Sequence, residues 1–142
     1  MILVHGTSVA LGGEGVLLRG PSGCGKSDLA LRLIDQGAHL VADDQTELRA
    51  VGRLLSMSAP PTIQGKMEVR GLGIVKVPTI SAAPLRVVVD LVATGQVERL
   101  PAPRFCRYLD RSVPLVALAP FEASAVAKLR LALQAAAAGD AS

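Results

Sequence analysis

Tryptophan is absent from these 142 residues, and one tyrosine and two phenylalanines are the only aromatics. With half of the residues apolar, the core has to be built from Leu, Val, Ile and Ala. The few aromatics are not interleaved with Arg or Lys, no long basic tract occurs, and the net charge is only +3, which tells against a nucleic-acid partner. The two cysteines, Cys24 and Cys106, are too few for a disulfide framework and lack metal-ligand spacing. That usage suits a reducing, cytoplasmic compartment. No apolar run reaches ~18 residues, so no membrane span is expected. The opening Met-Ile-Leu-Val-His-Gly has no basic n-region, so it does not read as a signal peptide. A chain of this length can bury one sizeable core, which leads us to expect a single domain over 1–138 and a short tail at 139–142.

What the chain does have is the stretch Gly20-Pro21-Ser22-Gly23-Cys24-Gly25-Lys26-Ser27, which fits GxxxxGK[ST] at every fixed position. Val16-Leu17-Leu18 precedes it as a short strand, and Asp28 to Gln36 follows with helical spacing, Leu29 and Leu33 lying one turn apart. Glycines in such a loop let backbone N–H groups converge on phosphate oxygens, and the following helix N-terminus adds favourable dipole charge. Lys26 would reach the outer phosphates of a bound nucleotide, and the Ser27 hydroxyl would enter the shell of Mg2+. Cys24 reads as a small filler. The competing reading is a Gly-rich turn that happens to end in Lys-Ser, and the strand before it and helix after it disfavour that.

Taken in order, Ile2 to Val4, Thr7 to Leu11 and Gly15 to Leu18 read as strands of a small antiparallel meander, with a turn at Gly12-Gly13. Gly37 stands where a helix ends, and His39 to Ala42 is a strand that delivers Asp43-Asp44 at its C-terminal edge. Glu47 to Val51 and Leu54 to Met57 read as a hairpin stopped by Pro60-Pro61. Ile63 to Arg70 is ambiguous between turn and strand, and Ile74 to Val77 is a short strand after Gly71-Leu72-Gly73. Leu85 to Leu91, dense in Val, is a central strand. Thr94 to Asp110 reads as an irregular surface loop, and its Arg99, Arg104 and Arg107, with Arg111 beyond, suggest contact with a protein substrate or a neighbouring subunit. Val113 to Leu118 is the last strand, and Glu122 to Ala138 a terminal helix with an apolar stripe at Val126, Leu129 and Leu133.

A carboxylate pair at a strand end can hold Mg2+ or accept a proton from a hydroxyl nucleophile, and Asp43-Asp44 offers both. It can equally be a helix cap or a solvated turn. Asp90, at the end of Val87-Val88-Val89, competes for the metal role as the generic partner of a phosphate loop. Composition does not choose between Asp43 and Asp90.

Three stretches in order, Gly20 to Ser27, Leu40-Val41-Ala42-Asp43-Asp44 and Met67-Glu68-Val69-Arg70-Gly71-Leu72-Gly73-Ile74, resemble the motifs of the HPr kinase/phosphorylase family, in its C-terminal catalytic domain. His5 is similarly placed to that family's active-site histidine. The resemblance spans roughly residues 1–90. It implies that Asp43 is the base for transfer to a protein serine and the acid when inorganic phosphate attacks phosphoserine. His5 would sit beside Asp43 and orient it, and Arg70 would join the same pocket. Metal ligands would be Ser27 and Glu68, with Asp44 adjacent, while Asp90 becomes structural. Where the family has an arginine-bearing loop, this chain has Val113 to Pro120 without arginine. Four residues precede His5, where longer members carry a regulatory domain, so a short form is expected.

The expectation is therefore an α/β, single P-loop nucleotide-binding domain with a mixed, partly antiparallel sheet. Using ATP and Mg2+, it would phosphorylate a serine on a small HPr-like phosphocarrier protein, with phosphorolysis as a second activity. The resemblance further implies a homo-oligomer, hexameric by the family's habit. A nucleotide-binding sensor or adaptor without transfer activity is the rival reading. A small-molecule kinase is disfavoured because no lid is recognisable.

Overall fold

A computed structural model describes residues 1–141. In chain order the elements are β1 (Ile2–His5), β2 (Thr7–Leu11), β3 (Glu14–Arg19), α1 (Lys26–Asp35), β4 (His39–Ala42), β5 (Gln45–Val51) and β6 (Leu54–Ser58). They continue with β7 (Lys66–Val69), β8 (Gly73–Lys76), β9 (Ala83–Leu91), β10 (Arg104–Tyr108), β11 (Arg111–Leu118) and α2 (Ala125–Ala141). The main sheet runs β1-β5-β6-β9-β3-β2-β4, and β11 joins it on β9 and carries β10. A separate hairpin, β7-β8, stands beside it.

This corrects the expected α/β P-loop domain. The fold is a curled, half-barrel mixed sheet, 45% strand and only 22% helix. Its one strand–helix–strand passage, β3-α1-β4, does not make a parallel pair, because β2 lies between the two strands and pairs antiparallel with both. Parallel ladders join β3 with β9 and β9 with β11, and Leu40 of β4 adds an isolated parallel bridge to Thr79. The physical reason lies in the middle of the chain. Between α1 and β9, turn signals at Gly52 and Gly71 break the sequence into short strands, which pair as hairpins instead of alternating with helices.

Both faces of the central strands are buried, which is why they read as continuous apolar runs. Val16, Leu18, Val87 and Val89 point to a layer closed by Leu29 and Leu33 of α1 and Leu129 and Leu133 of α2. Leu17 and Val88 point the other way, into a second cluster closed by Leu48, Leu55 and Met57 as the β5-β6 hairpin curls over. The curl requires close approach at Gly15. A Cβ there would lie 2.5 Å from the Pro84 carbonyl oxygen and would also collide with the Met57 methyl. Gly15→Ala is therefore expected to lower the melting temperature by roughly 3–10 °C, the cost of overpacking a tight contact. An unchanged melting curve would show that the sheet can relax there.

Two further expectations change. β1 leaves the meander and pairs antiparallel with β5, so only β2 and β3 form the initial hairpin. The basic stretch after Thr94 is not wholly irregular: Arg104 and Arg107 stand exposed on β10, an antiparallel partner of β11. α2 begins at Ala125, and residues 139–141 of the expected tail continue it, while Ser142 lies outside the described residues. Among the described residues no helix is long and apolar enough to cross a membrane.

Candidate active site

α1 starts at Lys26, directly after the glycine-rich loop, with Gly25 as its N-terminal cap at φ 105°. Only glycine enters that conformation without strain. A Cβ at Gly25 would also meet the Phe121 ring at 2.9 Å and Pro120 at 3.1 Å. Lys26 is buried, and its ammonium donates to the Gly20 carbonyl at 2.6 Å and the Pro21 carbonyl at 3.1 Å. The cation is thus held inside the curve of its own loop.

β4 delivers Asp43 to the same point. Ser27 Oγ donates to Asp43 Oδ1 at 3.1 Å, and Thr7 Oγ1 donates to the same oxygen at 3.2 Å. The backbone N–H of Glu68, on β7, donates to Asp43 Oδ2 at 3.2 Å. One carboxylate therefore joins α1, β2, β4 and the β7-β8 hairpin.

Asp44 turns the other way because its backbone is left-handed, at φ 66°, a conformation that Asp tolerates better than most residues. Its N–H donates to Thr7 Oγ1 at 3.1 Å, and its carbonyl accepts from the Gly6 N–H at 2.8 Å. Its carboxylate lies 2.9 Å from His5 Nε2. His5, expected beside Asp43, thus partners Asp44 instead. Asp44, expected near the metal, is engaged with His5, and the carboxylate that meets Ser27 is that of Asp43.

Asp90 is absorbed elsewhere. Arg19 donates to both of its oxygens, at 2.7 and 3.0 Å, and to the Tyr108 hydroxyl at 2.8 Å. The Asp90 contact, opposed by burial and helped by Tyr108, holds the Arg19 guanidinium above its ordinary range. Burial likewise pushes up the neighbouring Cys106 thiol, with Arg19 pulling the other way.

The model of the HPr serine kinase C-terminal domain matches residues 1–103, a span that holds every one of these groups except Cys106, Tyr108, Pro120 and Phe121. The chain belongs to that family. It is 48% identical to an HPr kinase/phosphorylase from an Exiguobacterium species over 84 residues, covering 58% of this chain and 27% of the relative. It is 40% identical to that of Cupriavidus metallidurans over 119 residues, covering 77% and 36%. The chain thus aligns with about a third or less of the length of these curated relatives. The fold matches the HPr(Ser) kinase/phosphatase structure from Coxiella burnetii with a TM-score of 0.86 over 100% of both chains, at 23% identity.

In this HPr serine kinase C-terminal domain, the resemblance-derived residues Ser27, Asp43 and Glu68 come together, with Lys26 in the adjoining loop. His5 and Asp44 form a pair one step away, linked through Thr7. Arg70 is exposed in the β7-β8 turn. Thr7 was missed in the sequence, where only its place at the start of an apolar strand beside His5-Gly6 marks it, and the structure buries its hydroxyl fully. Ser27 Oγ and the Asp43 carboxylate are oxygen donors of the kind Mg2+ takes together with substrate phosphates, while Glu68 meets Asp43 through its backbone N–H.

Proposed function

We propose that this domain transfers the γ-phosphoryl group of ATP to a serine hydroxyl on a small HPr-like phosphocarrier protein, as the names of its relatives suggest. The observation that carries the reading is Asp43, whose single carboxylate is held by Ser27, Thr7 and the Glu68 N–H at the end of the glycine-rich loop. Such a group needs fixed geometry before its basicity is of use.

The roles follow from chemistry. Backbone N–H groups of Ser22, Gly23 and Gly25 and the Lys26 ammonium would grip the polyphosphate. Ser27 and Glu68 would hold Mg2+, and the ion when bound neutralises charge on the phosphate oxygens. Asp43 takes the proton as the seryl oxygen bonds to the γ-phosphorus and the bridge to ADP breaks. Asp44 fixes the His5 ring, and Thr7, which bonds both the Asp43 carboxylate and the Asp44 N–H, links that pair to the base. In phosphorolysis the protonated Asp43 returns its proton to the seryl oxygen as inorganic phosphate takes the phosphoryl group, giving pyrophosphate. Arg70 would stabilise transferring phosphate from the exposed turn between β7 and β8. Homo-oligomeric assembly, hexameric in the family's habit, belongs to the same reading.

The test is incubation of the purified chain with γ-labelled ATP, Mg2+ and HPr-like proteins. Label is expected on a carrier serine, and subsequent inorganic phosphate should release it as pyrophosphate. ATP binding without label on any carrier would favour the sensor or adaptor.

A further inference from the structure

We propose that Phe121 is a stacking platform for the nucleobase of the bound nucleotide, an assignment that rests on the phosphate-loop reading above. Phe121 lies beyond the residues matched by the family model, so the family match gives it no role.

The ring tip touches the phosphate loop itself, since a Cβ at Gly25 would lie 2.9 Å from Phe121 Cζ. Yet 71% of the residue is exposed. Its surroundings are rigid. Ala119 and Pro120 are buried, and the Glu122 N–H donates back to the Ala119 carbonyl at 3.3 Å. Arg32, itself paired with Asp28 on α1 at 3.0 Å, donates to the Pro120 carbonyl. The segment between β11 and α2 is therefore strapped to the nucleotide helix, and the aromatic side chain projects from the strap into solvent.

A single exposed apolar residue needs no explanation by itself. Phe105, 62% exposed on β10, is one such residue. Phe121 differs in being fixed against the loop that would hold the phosphates, so its free face adjoins the path of the nucleoside end. Every base offers a π-face to an aromatic ring, and a ring held in place in advance binds without a large ordering cost. Contact of this kind selects for a base without reading which base it is.

Binding of Mg-ATP and of Mg-tripolyphosphate, which lacks the nucleoside, separates this role from support of the loop. Titration calorimetry on the parent, Phe121→Ala and Phe121→Trp is the measurement. Phe121→Ala should weaken ATP by about 5- to 150-fold, the range measured for loss of one base stack, and leave tripolyphosphate within about twofold. Phe121→Trp should restore ATP affinity. Because the parent has no tryptophan, its indole emission should respond to ATP and not to tripolyphosphate. Equal loss of both ligands would reduce Phe121 to a prop for Gly25, and unchanged ATP affinity would put the base elsewhere. Either result overturns the proposal. If Lys26→Ala moves neither ligand, or the parent binds neither, the phosphate-loop reading fails first and takes this one with it.

Discussion

Asp43→Asn should leave a folded, nucleotide-binding protein whose transfer rate has fallen at least about a hundredfold, within the usual ~10²–10⁴-fold contribution of a positioned base. The hydrogen bonds explain why the fold should survive. The Glu68 N–H can only donate, so the new amide would turn its oxygen there, where Oδ2 now accepts at 3.2 Å. Its NH2 would then face Ser27 and Thr7, whose hydroxyls can switch from donating to accepting. Shape and connections persist, while the charge and the proton acceptor are lost. The companion variant is Asp90→Asn. Its partner Arg19 would lose a two-pronged contact, so the melting temperature should drop while the transfer rate stays within a few-fold. Rates for both variants, with ATP affinity measured alongside, check the pair. An essential Asp90 with a dispensable Asp43 would reverse the assignment of the two carboxylates.

Those carboxylates also mark how far the sequence could be read. Local turn chemistry was plain: Gly12-Gly13, Gly37 and Gly52 end elements where expected, and the hairpins beside them follow. Pairing between distant strands was not. His5-Gly6 separates β1 from β2, but nothing local says that β1 will cross to β5. The α/β expectation came from extending one strand–loop–helix motif to the whole chain, whereas the long middle stretch is spent on hairpins. β10 was missed because its inward face is only Cys106 and Tyr108, and the exposed Phe105 between arginines blurs the alternation. It is an edge strand, bonded to β11 alone, with Arg104, Phe105 and Arg107 all exposed.

Within the site, residue type was legible and direction was not. Adjacent carboxylates on a strand should point to opposite faces, but where each lands depends on the backbone after the strand ends. At Asp44 the chain turns left-handed, which sends that side chain to His5 and leaves Asp43 facing Ser27. The family resemblance put His5 beside Asp43, whereas the backbone turn gives His5 to Asp44. Thr7, which bonds both aspartates through one hydroxyl, explains how the two halves stay in register.

Lys26→Ala should weaken Mg-ATP binding by about 10- to 150-fold, the range for losing hydrogen bonds to a charged partner. Two effects act in the same direction. The cation that would face the outer phosphates disappears, and the Gly20 and Pro21 carbonyls lose the donor that now holds them at 2.6 and 3.1 Å. The second effect loosens the loop, so the melting temperature should also fall modestly. Lys26→Arg separates them, because it keeps the charge but replaces a compact ammonium with a planar fork that does not fit the same two carbonyls. It should recover part of the affinity and little of the thermal stability. Calorimetric titration with Mg-ATP, beside thermal melts of all three proteins, is the check. A folded Lys26→Ala protein that binds ATP as tightly as the parent would remove residues 20–27 from the nucleotide site and, with them, the kinase reading built on Asp43.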